Sequence, residues 1–166
     1  CSRCSTACPT GALDIPYKLD ARRCIAYLTI EHKTAIPESL RGLIGNRVFG
    51  CDDCQLVCPH NGSPKKGDSL FAPRHGLADP ELVEVFLWSA EQFEQYTNGS
   101  PLRRLGYERW MRNVAVALGN GISTAAAADA LRSRLGKVSA MVDEHIIWAL
   151  QRLGAPDAST IAEQEY

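Results

Sequence analysis

The chain has 166 residues, 45% of them apolar, and a formal net charge of −1. That length and apolar share suit one or two small domains with a real core. No apolar run approaches the length of a membrane span, and the near-neutral total argues against a uniformly basic surface.

The chain opens on Cys1, Cys4 and Cys8, spaced C-x2-C-x3-C and followed at once by Pro9, and the cadence returns at Cys51, Cys54, Cys58 and Pro59. Thiolates two or three residues apart on a tight loop can all reach one cubane of iron and sulfide. A proline directly after the last thiol keeps the loop from winding on into a helix. The bacterial ferredoxin run is C-x2-C-x2-C-x3-C-P, and its fourth cysteine ligates the other cluster. On that pattern Cys1, Cys4 and Cys8 are the second, third and fourth members. The first is expected three residues before Cys1, so the chain is expected to begin inside a motif. Between the runs, residues 27–30 read as a short strand and residues 37–44 as a short helix with proline in its first turn. Residues 61–67 are a breaker-rich link and mark a boundary.

Beyond the link the pattern turns helical. Asp79 can cap a helix with Pro80 at its first position, running through Val83, Phe86 and Leu87. Ser89 or Ala90 begins a second short piece. Residues 107–118 show clear helical periodicity in Tyr107, Trp110, Met111, Val114, Ala117 and Leu118. Helices are also expected over 123–135, closed by Gly136, and over 138–153, stopped by Gly154 and Pro156. The segment VAVAL at 114–118 resembles IIWAL at 146–150, an offset of 32 residues. A period of that size in helix pairs is the mark of a HEAT-type repeat. The expected fold is mainly α: a two-cluster ferredoxin-like segment at 1–66, a linker with short helices at 67–106, and a HEAT-like domain at 107–166.

Seven cysteines are an odd count, and six lie in two tight clusters, which is not a disulfide framework. Structural zinc prefers two C-x2-C pairs closing one tetrahedron, whereas here the x3 spacing plus proline occurs twice. Two cubanes take four thiolates each, and Cys24 completes the count. Crossed ligation then gives Cys1, Cys4 and Cys58, with the upstream cysteine, to cluster 1, and Cys8, Cys24, Cys51 and Cys54 to cluster 2. Gly11, Gly50 and the loop amides are candidate N–H donors to the cluster sulfurs. Thiols kept reduced point to a cytoplasmic protein.

The charge is unevenly spread. Residues 101–137 carry seven basic and two acidic side chains, between blocks with an acidic excess. Arg103, Arg104, Arg109, Arg112, Arg132, Arg134 and Lys137 offer a phosphate-binding surface. Arg109 and Arg112, three apart, share one face of the 107–118 helix, while Trp110 falls off that face and reads as core. His32, His75 and His145 are solvated or packing residues.

Residues 1–61 resemble the epoxyqueuosine reductase family. The resemblance rests on CPTGAL at 8–13, DARRCIAYLTIEHK at 20–33 and IGNRVFGCDDCQLVCPHN at 44–61. It implies a role in the last step of queuosine formation, in which the epoxide oxygen of epoxyqueuosine at the wobble position of tRNA is removed. It also implies two 4Fe–4S clusters feeding a cobalamin held in an amino-terminal domain, a tRNA anticodon arm as partner and an external electron donor. A monomer is expected. The portion read here is not expected to perform the chemistry alone. On the cobalamin side the resemblance points to Ala26, Tyr27, Thr29 and Glu31. Ala26 stands where the family tends to carry serine, and His60 where it tends to carry tryptophan. Rival readings are a reductive dehalogenase, which also joins cobalamin to two cubanes, and a non-catalytic helical binding module stapled by metal.

Overall fold

The computed structural model describes residues 1–62, 67, 72, 73, 75 and 77–155. Its regular structure there is entirely helical. Pro156 and residues 63–66 of the breaker-rich link lie outside the described residues.

Among the described residues the cluster segment holds four short α-helices: α1 (Arg3–Ala7), α2 (Ile25–Ile30), α3 (Glu38–Ile44) and α4 (Asp53–Leu56). The strand expected over 27–30 is instead the body of α2. Cys24, in extended backbone, is its N-cap, and the Thr29 hydroxyl donates to the Ile25 carbonyl one turn back (2.7 Å). The β-branched side chain thus finds its partner within the helix. A four-residue apolar run is too short for periodicity to tell the two apart. Helix α3 follows Pro37 as expected and buries Leu40 and Ile44 beside Ile25, Leu28 and Ile36.

Five further α-helices follow among the described residues: α5 (Leu82–Phe86), α6 (Ala90–Tyr96), α7 (Tyr107–Gly119), α8 (Ala125–Arg134) and α9 (Ala140–Arg152). Helix α5 starts later than Asp79 and Pro80 suggested, with Glu81 at its N-cap. Side chains of Ser89, Thr124 and Ser139 cap α6, α8 and α9, and Ser89 with Gln92 completes a reciprocal capping box. Val85, Phe86, Trp88 and Phe93, from the stretch expected to be linker, share a core with α7, α8 and α9. Trp88 stacks on Trp110 with ring centroids 5.6 Å apart, and the Trp110 Nε1–H donates to the Val85 carbonyl (3.1 Å).

Helix α7 is buried from Trp110 to Gly119, so it has no solvent face over that stretch. One side meets α9 and α5. The other contributes Val116 to the apolar cluster of α2 and α3. The two look-alike segments lie in α7 and α9, the most extensively packed helix pair. Gly119 makes their approach possible, because a Cβ there would lie 2.8 Å from the Ala149 Cα and 2.8 Å from the Trp148 ring. Gly119→Ala is therefore expected to destabilise the protein by about 1–3 kcal/mol despite alanine's better helix propensity, as measured by urea unfolding.

Candidate iron–sulfur site

The two cysteine runs fold alike. Ser2 (φ −117°, ψ 9°) leads into α1 and Asp52 (φ −111°, ψ 11°) into α4. Each short helix carries its run's middle cysteine, Cys4 or Cys54. The last cysteine of each run is then extended, at φ −71°, ψ 113° for Cys8 and φ −73°, ψ 123° for Cys58, with proline following. Helices α1 and α4 pack against each other, which brings the runs together. A 570 Å³ cavity beside Cys58 is walled by Ser2, Arg3, Thr6 and Ala7 of the first run and by Leu56 and Val57 of the second. Cys1 and Cys4 border a second cavity, of 550 Å³, whose far wall includes Ile15, Pro16 and Tyr17.

None of the seven cysteines forms a disulfide. Cys8 sits in a nest of donors. Burial pushes its thiol up, but the Thr10 hydroxyl (3.6 Å) and the N–H groups of Thr10, Ala12 and Leu13 outweigh that and hold it below the ordinary range. Such a nest stabilises a thiolate, the form that binds iron. Cys51 is pushed up, first by burial, then by the Asp53 charge and the nearby Cys24 thiol. The Asp53 N–H and the Arg47 guanidinium oppose this. Arg47 is itself held by Asp53 (2.6 Å) and by the Ile44 carbonyl (2.8 Å). A bound cationic cluster core would reverse that upward shift.

Cys24 is tied to both runs through its neighbours. Arg23 Nε donates to the Thr10 carbonyl (2.7 Å), in the loop that cradles Cys8. On the other side, the Gly50 N–H donates to the Thr29 hydroxyl (3.0 Å), joining α2 to the residue before Cys51. Two expected sulfur donors are therefore engaged elsewhere: Gly50 on Thr29, and Gly11 on the Cys8 carbonyl (3.2 Å). The nest at Cys8 uses the residues around Gly11, not Gly11 itself.

The residues expected on the cobalamin side divide. Tyr27 and Glu31 are exposed and Ala26 is half-buried, but Thr29 is fully buried with its hydroxyl bonded on both sides, so it presents nothing to a corrin. His60 is exposed in the turn after Cys58.

The basic block divides more sharply. Arg112 is 0% exposed and bonds the carbonyls of Leu28, His32 and Thr34, which removes it from any phosphate-binding face. Arg109, on the same helix face, donates to the carbonyls of Leu105, Ile30 and Arg104. That face meets α2, not solvent. Arg134 is bonded to the carbonyls of Leu87 and Trp88. Arg103, Arg104 and Arg132 are exposed and paired with Glu94, Glu31 and Asp129, and Lys137 is exposed. The supporting residues Asn113 and Thr10 escaped the sequence reading. For Asn113 the signal was slight: an amide beside Arg112 on a side of the helix that also carries the apolar Val116.

Residues 1–61 match the family model described as a 4Fe-4S double cluster binding domain. The chain is 60% identical over 155 residues to the epoxyqueuosine reductase of Pseudomonas aeruginosa, an overlap covering 93% of this chain and 43% of that protein. Over nearly its whole length the chain belongs with the epoxyqueuosine reductases. The Escherichia coli epoxyqueuosine reductase is 54% identical over 151 residues, covering 90% of this chain and 40% of that one. A crystal structure of an epoxyqueuosine reductase with a tRNA-Tyr epoxyqueuosine-modified tRNA stem loop superimposes with a TM-score of 0.85 at 33% identity, over 94% of this chain and 42% of that chain. The Bacillus subtilis epoxyqueuosine reductase superimposes with a TM-score of 0.83 at 32% identity, over 99% and 44% respectively. The chain thus spans well under half the length of the epoxyqueuosine reductases it matches. The mainly α architecture led by a double-cluster segment agrees with these relatives.

Proposed function

We propose that this chain is the electron-carrying and tRNA-facing part of an epoxyqueuosine reductase. Residues 1–66 hold two 4Fe–4S clusters, with Cys1, Cys4 and Cys58 serving one and Cys8, Cys24, Cys51 and Cys54 the other. Residues 107–155 form the HEAT-like framework behind them, with Val85, Phe86, Trp88 and Phe93 packed into the same core. The observation that carries the reading is the pair of cysteine runs, folded alike and packed together through α1 and α4, in a chain 60% identical to a reductase of this name. Losing an epoxide oxygen as hydroxide to leave an alkene takes two electrons and one proton. Side chains cannot store such electrons; two low-potential cubanes held by the seven cysteines would carry them, and a cobalamin bound elsewhere in the enzyme would supply the reductant. This chain's own contribution is to hold the thiolates and present a face to the rest of the enzyme. Ile15, Tyr17 and Leu19, large and exposed beside Cys1 and Cys4, fit the packing surface for that cobalamin-bearing portion. Tyr27, Glu31 and Ala26 lie on the cobalamin side.

The partner is the anticodon arm of tRNA, met by Arg103, Arg104, Arg132 and Lys137. An external donor supplies the electrons to a monomeric cytoplasmic enzyme. No helix among the described residues is long and apolar enough to cross a membrane.

Anaerobic reconstitution of the full-length enzyme tests the cluster reading: about eight irons per chain, reducible in two steps, are expected. One tightly held zinc overturns it. For the tRNA face, Arg104→Glu with Lys137→Glu is expected to weaken binding and to flatten its salt dependence by about one unit of slope per lost phosphate contact. Filter binding across a salt series is the measurement, and an unchanged slope refutes the assignment.

A further inference from the structure

Helix α7 enters the cluster segment with an amide held in one orientation. Asn113 is 1% exposed, and its Oδ1 accepts from Arg112 Nε (3.0 Å) and Nη2 (2.9 Å). A flipped amide would set NH2 against guanidinium, so Nδ2 is fixed facing the other way. There it donates to the carbonyls of Thr29 and Val48, both at 2.8 Å. The amide therefore bridges α2 to the loop that leads into Cys51. Thr29 completes the bridge, with its hydroxyl donating to the Ile25 carbonyl and accepting from the Gly50 N–H. Cys24 begins α2, and Cys51 packs on the apolar cluster of Ile25 and Leu28. Two thiols 27 positions apart in sequence are thus held by one hydroxyl and one amide, neither belonging to a cysteine run.

We propose that Thr29 and Asn113 are positioning residues that set the placement of Cys24 against Cys51, and with it the geometry and potential of the single cluster those two thiolates share. The inference rests on the ligand assignment proposed above. Outer groups that orient metal ligands tune both affinity and potential. Thr29 has a second effect: by accepting from Gly50 it turns that N–H away from the sulfurs. An N–H aimed at a cluster sulfur favours the more negative, reduced state and raises the potential. The hydroxyl therefore helps keep this cluster low. Separate bonds from Arg112 and from Asn120, the latter to the carbonyls of Arg41 and Gly45, hold the segment in place. Thr29→Val, close in shape, accordingly leaves the fold standing.

The test uses the full-length reductase reconstituted anaerobically, as wild type, Thr29→Val, Thr29→Ser and Asn113→Leu, with Cys24→Ser marking which cluster depends on Cys24. Midpoint potentials come from redox titration followed by electron paramagnetic resonance, iron retention from release to a chelator, and fold from circular dichroism. In Thr29→Val the Cys24-dependent cluster is expected to rise in potential and to lose iron about tenfold faster, while the other cluster stays at its wild-type values. Thr29→Ser restores both, and Asn113→Leu accelerates iron loss from the same cluster first. If Thr29→Val leaves both clusters unmoved, or moves both equally, the inference is overturned. A wild-type protein without two clusters overturns the ligand assignment itself, and the inference with it.

Discussion

Arg112→Met is expected to cost about 3–5 kcal/mol of stability while removing no contact with nucleic acid. The side chain is wholly buried, and its charge has no carboxylate beside it. Its partners are the carbonyls of Leu28 (2.9 Å), His32 (2.8 Å) and Thr34 (2.6 Å), with the Asn113 amide oxygen. Burial lowers its pKa to about 10, aided by Arg109 and opposed by Glu108, so the charge persists at neutral pH. What makes it tolerable is the end of α2. The last carbonyls of a helix lack intrahelical partners and carry the negative end of its dipole. Here the Leu28 carbonyl accepts from Arg112, Thr29 from Asn113 and Ile30 from Arg109. Helix α7 thus caps the C-terminus of α2 with three side chains. Methionine fills similar volume but donates nothing, leaving several buried acceptors unsatisfied. A melting midpoint lower by about 10 °C is expected. Arg112→Lys, keeping charge but not the fork, falls between. Below the melting range, the salt slope of tRNA binding stays at the wild-type value. A change in slope with an unchanged midpoint would return Arg112 to the nucleic-acid face.

The same arginines show what the sequence reading could and could not see. The cysteine runs were legible because iron ligation demands fixed spacing and leaves it in the chain. Helix α7 was legible from its apolar periodicity, and α6, α8 and α9 from local signals: a start at Ser89 for the first, and stops at Gly136 and Gly154 for the other two. The charge of residues 101–137 was read as surface because counting cannot tell a guanidinium in water from one among carbonyls. The correcting signal was in the helix itself. Val116 falls on the same side of α7 as Arg109, Arg112 and Asn113, and an apolar residue within that polar side marks a face packed against other elements rather than water. Helix α2 was misread for a different reason. Its last carbonyls are held by Arg112 and Asn113 from 84 residues away, and a run so short does not state its own conformation.

A second joint between the cluster segment and the helical framework is expected to fail in acid, at His145. The ring is fully buried on α9. Its Nδ1 donates to the Met141 carbonyl (2.7 Å) and its Nε2 accepts from the Ile36 N–H (3.1 Å), so the neutral ring serves both partners. A proton on Nε2 would set N–H against N–H. Burial lowers the pKa from 6.5 to about 4. The Met141 bond and Glu144 raise it, while Arg41 and Arg112 lower it further. Because the folded pKa lies below the unfolded one, the unfolded chain binds the proton first as pH falls. The histidine's contribution is whole above pH 6.5, declines from there to pH 4 and is flat below, a loss of about 3 kcal/mol. Iron–sulfur proteins have other acid-sensitive groups, so the informative quantity is a difference between proteins. His145→Gln, whose amide oxygen can accept from Ile36 but cannot titrate, is expected to melt near or below the wild type at pH 7. Between pH 6.5 and 4 the gap should move in the variant's favour by about 3 kcal/mol, or roughly 6–12 °C for a chain of this size. A gap constant across that window would show that His145 titrates alike in both states, and the joint at Ile36 would then owe nothing to the neutral ring.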